Sequence, residues 1–438
     1  MKQVHYTTAG TTTKGRRFFL EGQKIEQAGF TAGAQYSISY LQQRSTVMLQ
    51  LDADGSRTVV NGKRGGTSRP VIDLQNATLT AMFAEEQRVQ VVILDGQIIL
   101  QPHHEDTAQQ RRESQFMERV IDGNLQCASM FTGGGISTEA IHTALAQSGV
   151  STRCAWVAEM EHKYIESAGQ NCTAIDDDTV FLIGKVEEIE RRYYTDVDLL
   201  SFSMPCAGFS KAGKSKHKQS PIEHSGTVLF PVVSAIQSSN PAVIISENVS
   251  EAQDSPMYSL LRAELVRLGY KIFEQVMDST ETDTMENRKR YWLTAISSGI
   301  APESLQLPPV APSGRQLADV LQQVPADRWK EYAYLAKKAA SDKAAGKGFA
   351  RQLLDGSETR VGTIGRGYYK ARSTEPFLTR TSDNLQRLLT PEEHAAVKAA
   401  PAYLVAGQSA TTAHEILGQS IDYKQAHKLT KKIIGEIL

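Results

Sequence analysis

From Cys127 onward the chain keeps one rhythm: a short apolar run, a polar or glycine-containing stop, then a stretch with helical spacing. Apolar runs at residues 154–159, 180–183, 197–202 and 243–246 alternate with helical stretches at 138–147, 164–171, 227–237 and 260–268. This alternation selects an α/β fold, a doubly wound and mostly parallel sheet with helices on its faces. Residues 288–296 then supply β-rich sequence for a closing hairpin. In such sheets ligands sit beyond the carboxyl ends of the strands, so the chemistry is read where each run stops.

The run Leu199-Leu200-Ser201-Phe202-Ser203-Met204 stops at Pro205 and hands Cys206 to a loop that continues Ala207-Gly208. A thiol presented there suits a nucleophile. Free cysteine is also among the most buried residue types, so Cys206 alone decides nothing. Its neighbours carry more. Ser246-Glu247-Asn248-Val249 delivers an acid and an amide where the next strand ends, and Glu286-Asn287-Arg288-Lys289-Arg290 sets two arginines at alternate positions of a strand, on one face. Upstream, Phe131-Thr132-Gly133-Gly134-Gly135 has the glycines of a tight strand-to-helix turn that lets backbone approach a ligand. The second run ends on Glu159, an acid where a nucleotide-binding sheet accepts ribose hydroxyls.

Taken in order, these stops resemble the motif series of the DNA cytosine C5-methyltransferases: the FxGxGG turn, the PC loop, the ENV strand end and the QxRxR strand. Later, Arg387-Leu388-Leu389-Thr390-Pro391-Glu392-Glu393 resembles the family's RxLTxxE stretch, and Gly418-Gln419-Ser420 stands where the family has Gly-Asn-Ser. The resemblance covers residues 125–300, with echoes near the C-terminus. It implies a Rossmann-like methyltransferase sheet that binds S-adenosylmethionine through Phe131, Gly133, Gly135, Glu159, Val186, Leu229, Gln419 and Ser420. It implies methyl transfer to C5 of a cytosine flipped out of double-stranded DNA. Cys206 would add at C6, Glu247 would hold the N3 edge and favour its protonation, and Arg288 and Arg290 would hold the base O2 and a neighbouring phosphate. Ser210 and Asn248 are expected on DNA.

Four positions depart from the family pattern: Lys185 replaces an Asp after Gly184, Ala207 and Glu286 each replace Gln, and Gln419 replaces Asn. None removes a reactive group. Two other readings stay open, a transfer-RNA-modifying branch of the same family and a DNA-binding regulator whose methyltransferase domain has lapsed. The resemblance also allows a restriction endonuclease encoded elsewhere, with the methyltransferase acting as a monomer on DNA. The recognised base sequence is not legible, because loop side chains set it.

At 438 residues the chain is long for one domain. Expected boundaries are a β-rich module over 1–102, a linker helix over 103–124, the catalytic domain over 125–300, a target-recognition domain over 301–404 and a returning segment over 405–438. The first module carries a repeat at a spacing of 53, Phe30 over Phe83 and Ile38 over Val91, with Asp54-Gly55 and Asp95-Gly96 as hairpin turns. Two such halves resemble the swapped-hairpin regulators that bind DNA; a β module for folding or dimerisation is the plainer alternative. Residues 328–380 hold twelve Lys and Arg against five Asp and Glu, with Arg360, Arg366, Lys370, Arg372 and Arg380 spread through loop-like sequence. That surplus fits a phosphate-following surface.

Hydrophobic content of 40% and charged content of 22% contain no apolar run as long as the ~18 residues of a membrane span, and Met1-Lys2-Gln3-Val4-His5 opens no signal peptide. A cytoplasmic protein with no membrane partner is expected. The four cysteines form no CxxC pair and no zinc spacing with His, so reduced thiols and no metal are expected.

Overall fold

The computed structural model describes residues 2–64, 67–205, 221–346 and 351–438, and the chain divides into two units, Met1–Arg111 and Arg112–Leu438. The first is built twice over. One copy runs β1 (Gln3–Thr8), β2 (Gly10–Thr12), β3 (Gly15–Glu21), α1 (Gln23–Glu26), β4 (Gln35–Leu41) and β5 (Thr46–Leu51). The other runs β6 (Arg57–Thr58), β7 (Val60–Arg64), β8 (Thr67–Gln75), α2 (Ala77–Met82), β9 (Arg88–Leu94) and β10 (Gln97–Pro102). Equivalent strands pair across the copies, β5 with β10 and β3 with β8, both antiparallel. The first strand of each copy crosses to the other, β1 onto β9 and β6 onto β4. Phe30 and Phe83, the matched pair of the repeat, lie in one core with Phe18, Leu49 and Leu100.

One expected turn fails. Asp95-Gly96 does join β9 to β10, with Gly96 at φ 69°. Asp54-Gly55 instead carries the chain from β5 over to β6 beside β4, and a Cβ on Gly55 would stand 2.4 Å from the Tyr36 backbone. That glycine serves a close approach. The β4–β5 hairpin closes through the 3₁₀ turn Gln42–Arg44, which lacks turn chemistry in its sequence.

Helix α3 (His104–Ile121) spans the boundary between the units. Its C-terminal half is more than a polar linker. Buried Arg112 donates to Ser297 Oγ at 2.8 Å and to the Leu268 and Gly269 carbonyls at 2.8 and 3.0 Å, with its guanidinium 4.0 Å from the Tyr270 ring centre. Burial pulls its pKa down, and the Tyr270 and Glu113 charges oppose that.

The second unit is organised on a seven-stranded sheet. Its elements are β11 (Leu125–Met130), α4 (Ile136–Gln147), β12 (Thr152–Glu159), α5 (His162–Asn171), β13 (Val180–Ile183), β14 (Leu199–Phe202), α6 (Pro221–Ser239), β15 (Val243–Val249), α7 (Pro256–Arg267), β16 (Tyr270–Met277) and β17 (Arg290–Ser297). Strand order is β13-β12-β11-β14-β15-β17-β16. The first five are parallel, and β17 runs antiparallel to both β15 and β16. Apolar side chains leave both faces of the sheet and form two cores, one holding Leu125, Val157 and Ile245, the other Met130, Trp156 and Ile244. Burial on both faces explains why these strands read as continuous apolar runs.

Beyond β17 the chain is largely irregular, with α8 (Ala333–Ala344) and a small sheet of β18 (Gln352–Leu354), β19 (Pro376–Thr379) and β20 (Gln386–Arg387). Leu317, Leu354, Ile364, Tyr368, Leu378 and Leu389 make a local core that also takes Met285 and Val397. The segment does not separate from the catalytic part as a unit. After α9 (Pro391–Val397) and α10 (Ala410–Gln419), α11 (Tyr423–Ile437) lays Leu429, Ile433 and Ile434 into the core lined by Ile141 and Leu145 of α4. Among the described residues no helix is long and apolar enough to cross a membrane.

Candidate active site

Phe131, the glycine turn, Glu159 and Glu247 stand at the carboxyl ends of β11, β12 and β15, with Ser203 and Met204 following β14. At the end of β11, Phe131 takes φ 54° and Gly133 and Gly135 take φ 55° and 81°, so the chain reverses tightly into α4. Gly134 is needed for packing, since a Cβ there would stand 2.3 Å from an Ile416 methyl. Glu159, at the end of β12, accepts from the Gly133 N–H at 2.8 Å through one oxygen and from the Met160 and Glu161 N–H groups at 2.9 and 3.0 Å through the other. The acid thereby ties the second strand end to the glycine turn. Gln419 is exposed, and its Nε2 lies 3.7 Å from where a Gly133 Cβ would be. Ser420 turns its hydroxyl back to the Leu417 carbonyl at 2.8 Å. Val186 and Leu229 lie in the core with Trp156 and Met204.

Glu247 is 6% exposed at the end of β15. Ser203 Oγ donates to one of its oxygens at 2.7 Å and Arg290 Nε to the other at 2.8 Å. Two donors on opposite oxygens fix the plane of the carboxylate. Cys206 and Ser210 lie outside the described residues. The chain just before Cys206 is anchored: Asn248 Nδ2 donates to the Met204 carbonyl at 3.1 Å, while its Oδ1 accepts from the Val249 N–H at 2.9 Å. Asn248 is only 2% exposed. The amide expected on DNA is thus turned inward here, onto the Met204 carbonyl.

Arg288 and Arg290 do not share a target. Strand β17 begins at Arg290, so the alternation that would align the two side chains is absent at Arg288. Arg288 is buried, donating to Glu286 at 3.1 Å and to the Ile364 and Gly418 carbonyls at 3.3 and 3.1 Å. Two of its nitrogens are thereby engaged by backbone carbonyls of residues distant in the chain. Glu286, the departure from the family's Gln, is paired with buried Lys398 at 2.7 Å. Burial would raise the Glu286 pKa; the Lys398 and Arg288 charges outweigh it and bring the carboxyl down to about 2. Lys398 is lowered to about 8, by burial first and the Arg288 charge second.

The basic residues expected on phosphate divide. Arg360 pairs with Asp283 at 2.8 Å, and Arg380 with Asp383 at 2.5 Å beside the Trp329 ring. Both arginines have a carboxylate partner within the protein. The Arg366 guanidinium lies 5.5 Å from the centre of the Tyr164 ring, Lys370 lies against Tyr369, and Arg372 stands against Gly367. Sequence reading also missed Glu415, which receives Lys163 and the Tyr164 hydroxyl on one oxygen. No motif marks it.

The three described cysteines are poor nucleophiles. Burial pushes the Cys127 and Cys172 thiols far up and Cys154 to about 12. Among the described residues no group of His, Cys, Asp and Glu is placed to hold a metal.

Residues 125–435 match the family model described as C-5 cytosine-specific DNA methylase. Over 315 residues the chain is 24% identical to the type II methyltransferase M.NlaX of Neisseria lactamica, covering 70% of this chain and 92% of that protein. It is likewise 24% identical to the type II methyltransferase M.MspI of Moraxella sp over 254 residues, 57% of this chain and 59% of that one. Among solved structures, the Schizosaccharomyces pombe (S. pombe) Dnmt2 methyltransferase superposes with a TM-score of 0.55 at 14% identity, covering 71% of this chain and 99% of that one. The Entamoeba histolytica methyltransferase EhMeth gives 0.58 at 13%, covering 71% and 98%. At such identities these two establish the shared fold.

Proposed function

The chain belongs to the C-5 cytosine-specific DNA methylase family, and from that premise we propose that it methylates C5 of a cytosine flipped out of a specific double-stranded DNA sequence, with S-adenosylmethionine as donor. The turn at 131–135 and the Glu159 carboxylate fit that donor. Three acceptor positions of Glu159 are used by backbone N–H groups, and an ionised carboxylate has about four, which leaves one for a ribose hydroxyl. Gln419 and the glycine turn supply the adjoining polar wall. When bound, the cofactor supplies a methyl group on a sulfonium.

Cytosine C5 becomes nucleophilic only after addition at C6. The Cys206 thiolate forms the S–C6 bond as the C5–C6 double-bond electrons shift toward N3, which takes a proton from solvent water, and the Glu247 carboxylate stabilises that proton by accepting the N3–H. Arg290 and Ser203 hold Glu247 in orientation for this, and Arg290 adds positive charge near the base O2. After C5 takes the methyl group, releasing the donor as a thioether, solvent water takes the C5 proton. The electrons of that C–H bond re-form the C5–C6 double bond and expel the Cys206 thiolate, and N3 gives its extra proton back to solvent. Pulling the base from the stack costs a few kcal/mol. Arg366, Lys370 and Arg372 in the basic segment 328–380 are the groups we assign to phosphates there, and this segment to sequence recognition. We also assign the protein to the cytoplasm, as a monomer on DNA, with any restriction endonuclease encoded elsewhere.

The observation that carries this reading is the Glu247 carboxylate clamped by Arg290 and Ser203 beside the anchored strand end that leads to Cys206. The test begins with bisulfite sequencing of DNA from methylation-free cells expressing the protein. A duplex of the site found, with 5-fluorocytosine at the target, should trap the enzyme covalently, because fluorine cannot leave as the proton does. Cys206→Ser should abolish trapping, while Cys127→Ala, Cys154→Ala and Cys172→Ala should retain it. An adduct formed by the Cys206→Ser protein overturns the mechanism, and methyl label appearing in RNA alone overturns the substrate.

A further inference from the structure

Three stretches distant in sequence meet at one buried charge cluster. Glu286 lies four residues before Arg290; its Oε1 accepts from Arg288 at 3.1 Å and from the Ile364 N–H at 2.8 Å, and its Oε2 accepts from Lys398 at 2.7 Å. Arg288 passes the connection on to the Ile364 carbonyl at 3.3 Å and the Gly418 carbonyl at 3.1 Å. Gly418 lies so close to the basic segment that a Cβ on it would stand 2.3 Å from the Gly365 carbonyl oxygen. Backbone bonds lock the same junction: Asn287 N–H to Val361 O at 2.8 Å, Val361 N–H to Met285 O at 2.8 Å, and Glu286 N–H to Val397 O at 3.1 Å. Gly418 is followed by Gln419, which approaches the glycine turn, and Ile364 is followed by the loop carrying Arg366, Lys370 and Arg372.

Within the cluster Glu286 and Lys398 cancel, leaving the charge of Arg288. Glu286 with Lys398 and Arg288 sums to one positive charge, the same as a neutral pair at 286 and 398 around the arginine. Either single change breaks that balance in a site closed to water, where Glu286 and Lys398 are both fully buried. Removing one partner of a buried pair is far more damaging than removing both.

We propose that Glu286, Arg288 and Lys398 are positioning residues forming one brace that couples cofactor binding at 418–420 to DNA recognition by the 360–372 loop, with Glu286 and Lys398 functioning only as a matched pair. This rests on the reading of those two stretches given above. The brace holds Gly418 and Ile364 by their carbonyls at a single guanidinium, so ordering of either stretch is felt by the other.

The experiment is a double-mutant cycle on the full chain with S-adenosylhomocysteine as probe, titrated calorimetrically with and without sheared unmethylated genomic DNA. Glu286→Gln and Lys398→Met should each weaken binding of the probe about tenfold or more and abolish its response to DNA, within the range of coupling energies known for linked sites. The double variant should return to within about threefold of the parent, a non-additivity expected of contacting residues. It reads even where the singles fail to fold. Gly418→Ala, which wedges the two stretches apart without touching charge, should also lose the response to DNA. Single variants that fold at lower melting temperature yet bind the probe as the parent does, with and without DNA, mark a merely structural role and overturn the proposal. So does a double variant as weak as the two singles combined. A parent that binds the probe but methylates no DNA defeats the proposed function while leaving the cycle readable, and a parent that binds no probe refutes the cofactor assignment on which the brace rests.

Discussion

Replacing Asn248 by Ala removes the amide that holds the chain in front of Cys206. The β14–β15 ladder ends at the Phe202–Ser246 pair, and the 3.1 Å bond from Asn248 to the Met204 carbonyl extends the connection beyond it. Met204 is buried, so the variant leaves a carbonyl with neither that partner nor ready access to water. A loss of that kind costs about 1–3 kcal/mol. The melting temperature should fall by a few degrees. The effect on rate should be larger, because Cys206 follows two residues later and a misplacement of about 1 Å at a reacting group costs roughly 10²-fold. DNA affinity and its dependence on salt should not move, since no phosphate contact is lost. Single-turnover transfer of labelled methyl groups to DNA, with binding isotherms at two salt concentrations, reads both quantities. Parental turnover combined with weaker DNA binding would put the amide on the DNA, as its place after Glu247 in the sequence implies, and would reject the anchoring role.

Glu247→Gln keeps the shape held by Ser203 and Arg290 but loses the charge, and should slow methyl transfer by about 10² to 10⁴ while cofactor binding survives; a rate within a factor of a few of the parent's would remove Glu247 from the chemistry. Burial brings His142 and His414 each down to about 4, so as pH falls below 6.5 the unfolded chain takes up protons first and stability is lost between pH 6.5 and 4. Asp422, pushed up to about 6 by burial, works in the opposite sense between pH 6 and 3.8, which leaves the two histidines in excess. Melting temperatures at pH 7 and 5 should differ less in His142→Gln than in the parent, and an unchanged difference would refute the assignment. A chain starting at His104 keeps Arg112 and its anchor and should still methylate DNA; a folded truncation with no turnover would make the first unit part of the chemistry.

Much of the catalytic sheet was legible because its strands are buried on both faces, and each apolar run ends at a residue whose chemistry shows in its type. The repeat showed through Phe30 and Phe83 for the same reason, both being core residues. What each side chain meets was not legible. Asn248 and Arg288 occupy positions that read as contacts with DNA and base, yet both turn inward onto backbone carbonyls supplied by residues distant in the chain. The partners of Arg360 and Arg380, Asp283 and Asp383, lie outside residues 328–380, so a charge count over that segment misses both pairs. The departure at Glu286 made sense only with Lys398, a partner that no local pattern could supply. Asp54-Gly55 has the composition of a hairpin turn, but the strand that follows pairs with β4 rather than β5, a choice made by long-range packing.

The exchange of first strands between the two copies in Met1–Arg111 bears on how such a unit can arise. Neither copy closes its own sheet: β1 completes the edge beside β9, and β6 completes the edge beside β4. A peptide ending near Gly55 therefore carries every element of one copy but lacks the neighbours its strands require. It is expected to find them in a second peptide of the same sequence, as an intertwined homodimer with β3 against β3 and β5 against β5. Residues 3–102 then correspond to that dimer with its two subunits fused head to tail through residues 52–56, and once joined, each copy is free to change its surface without its mate changing too.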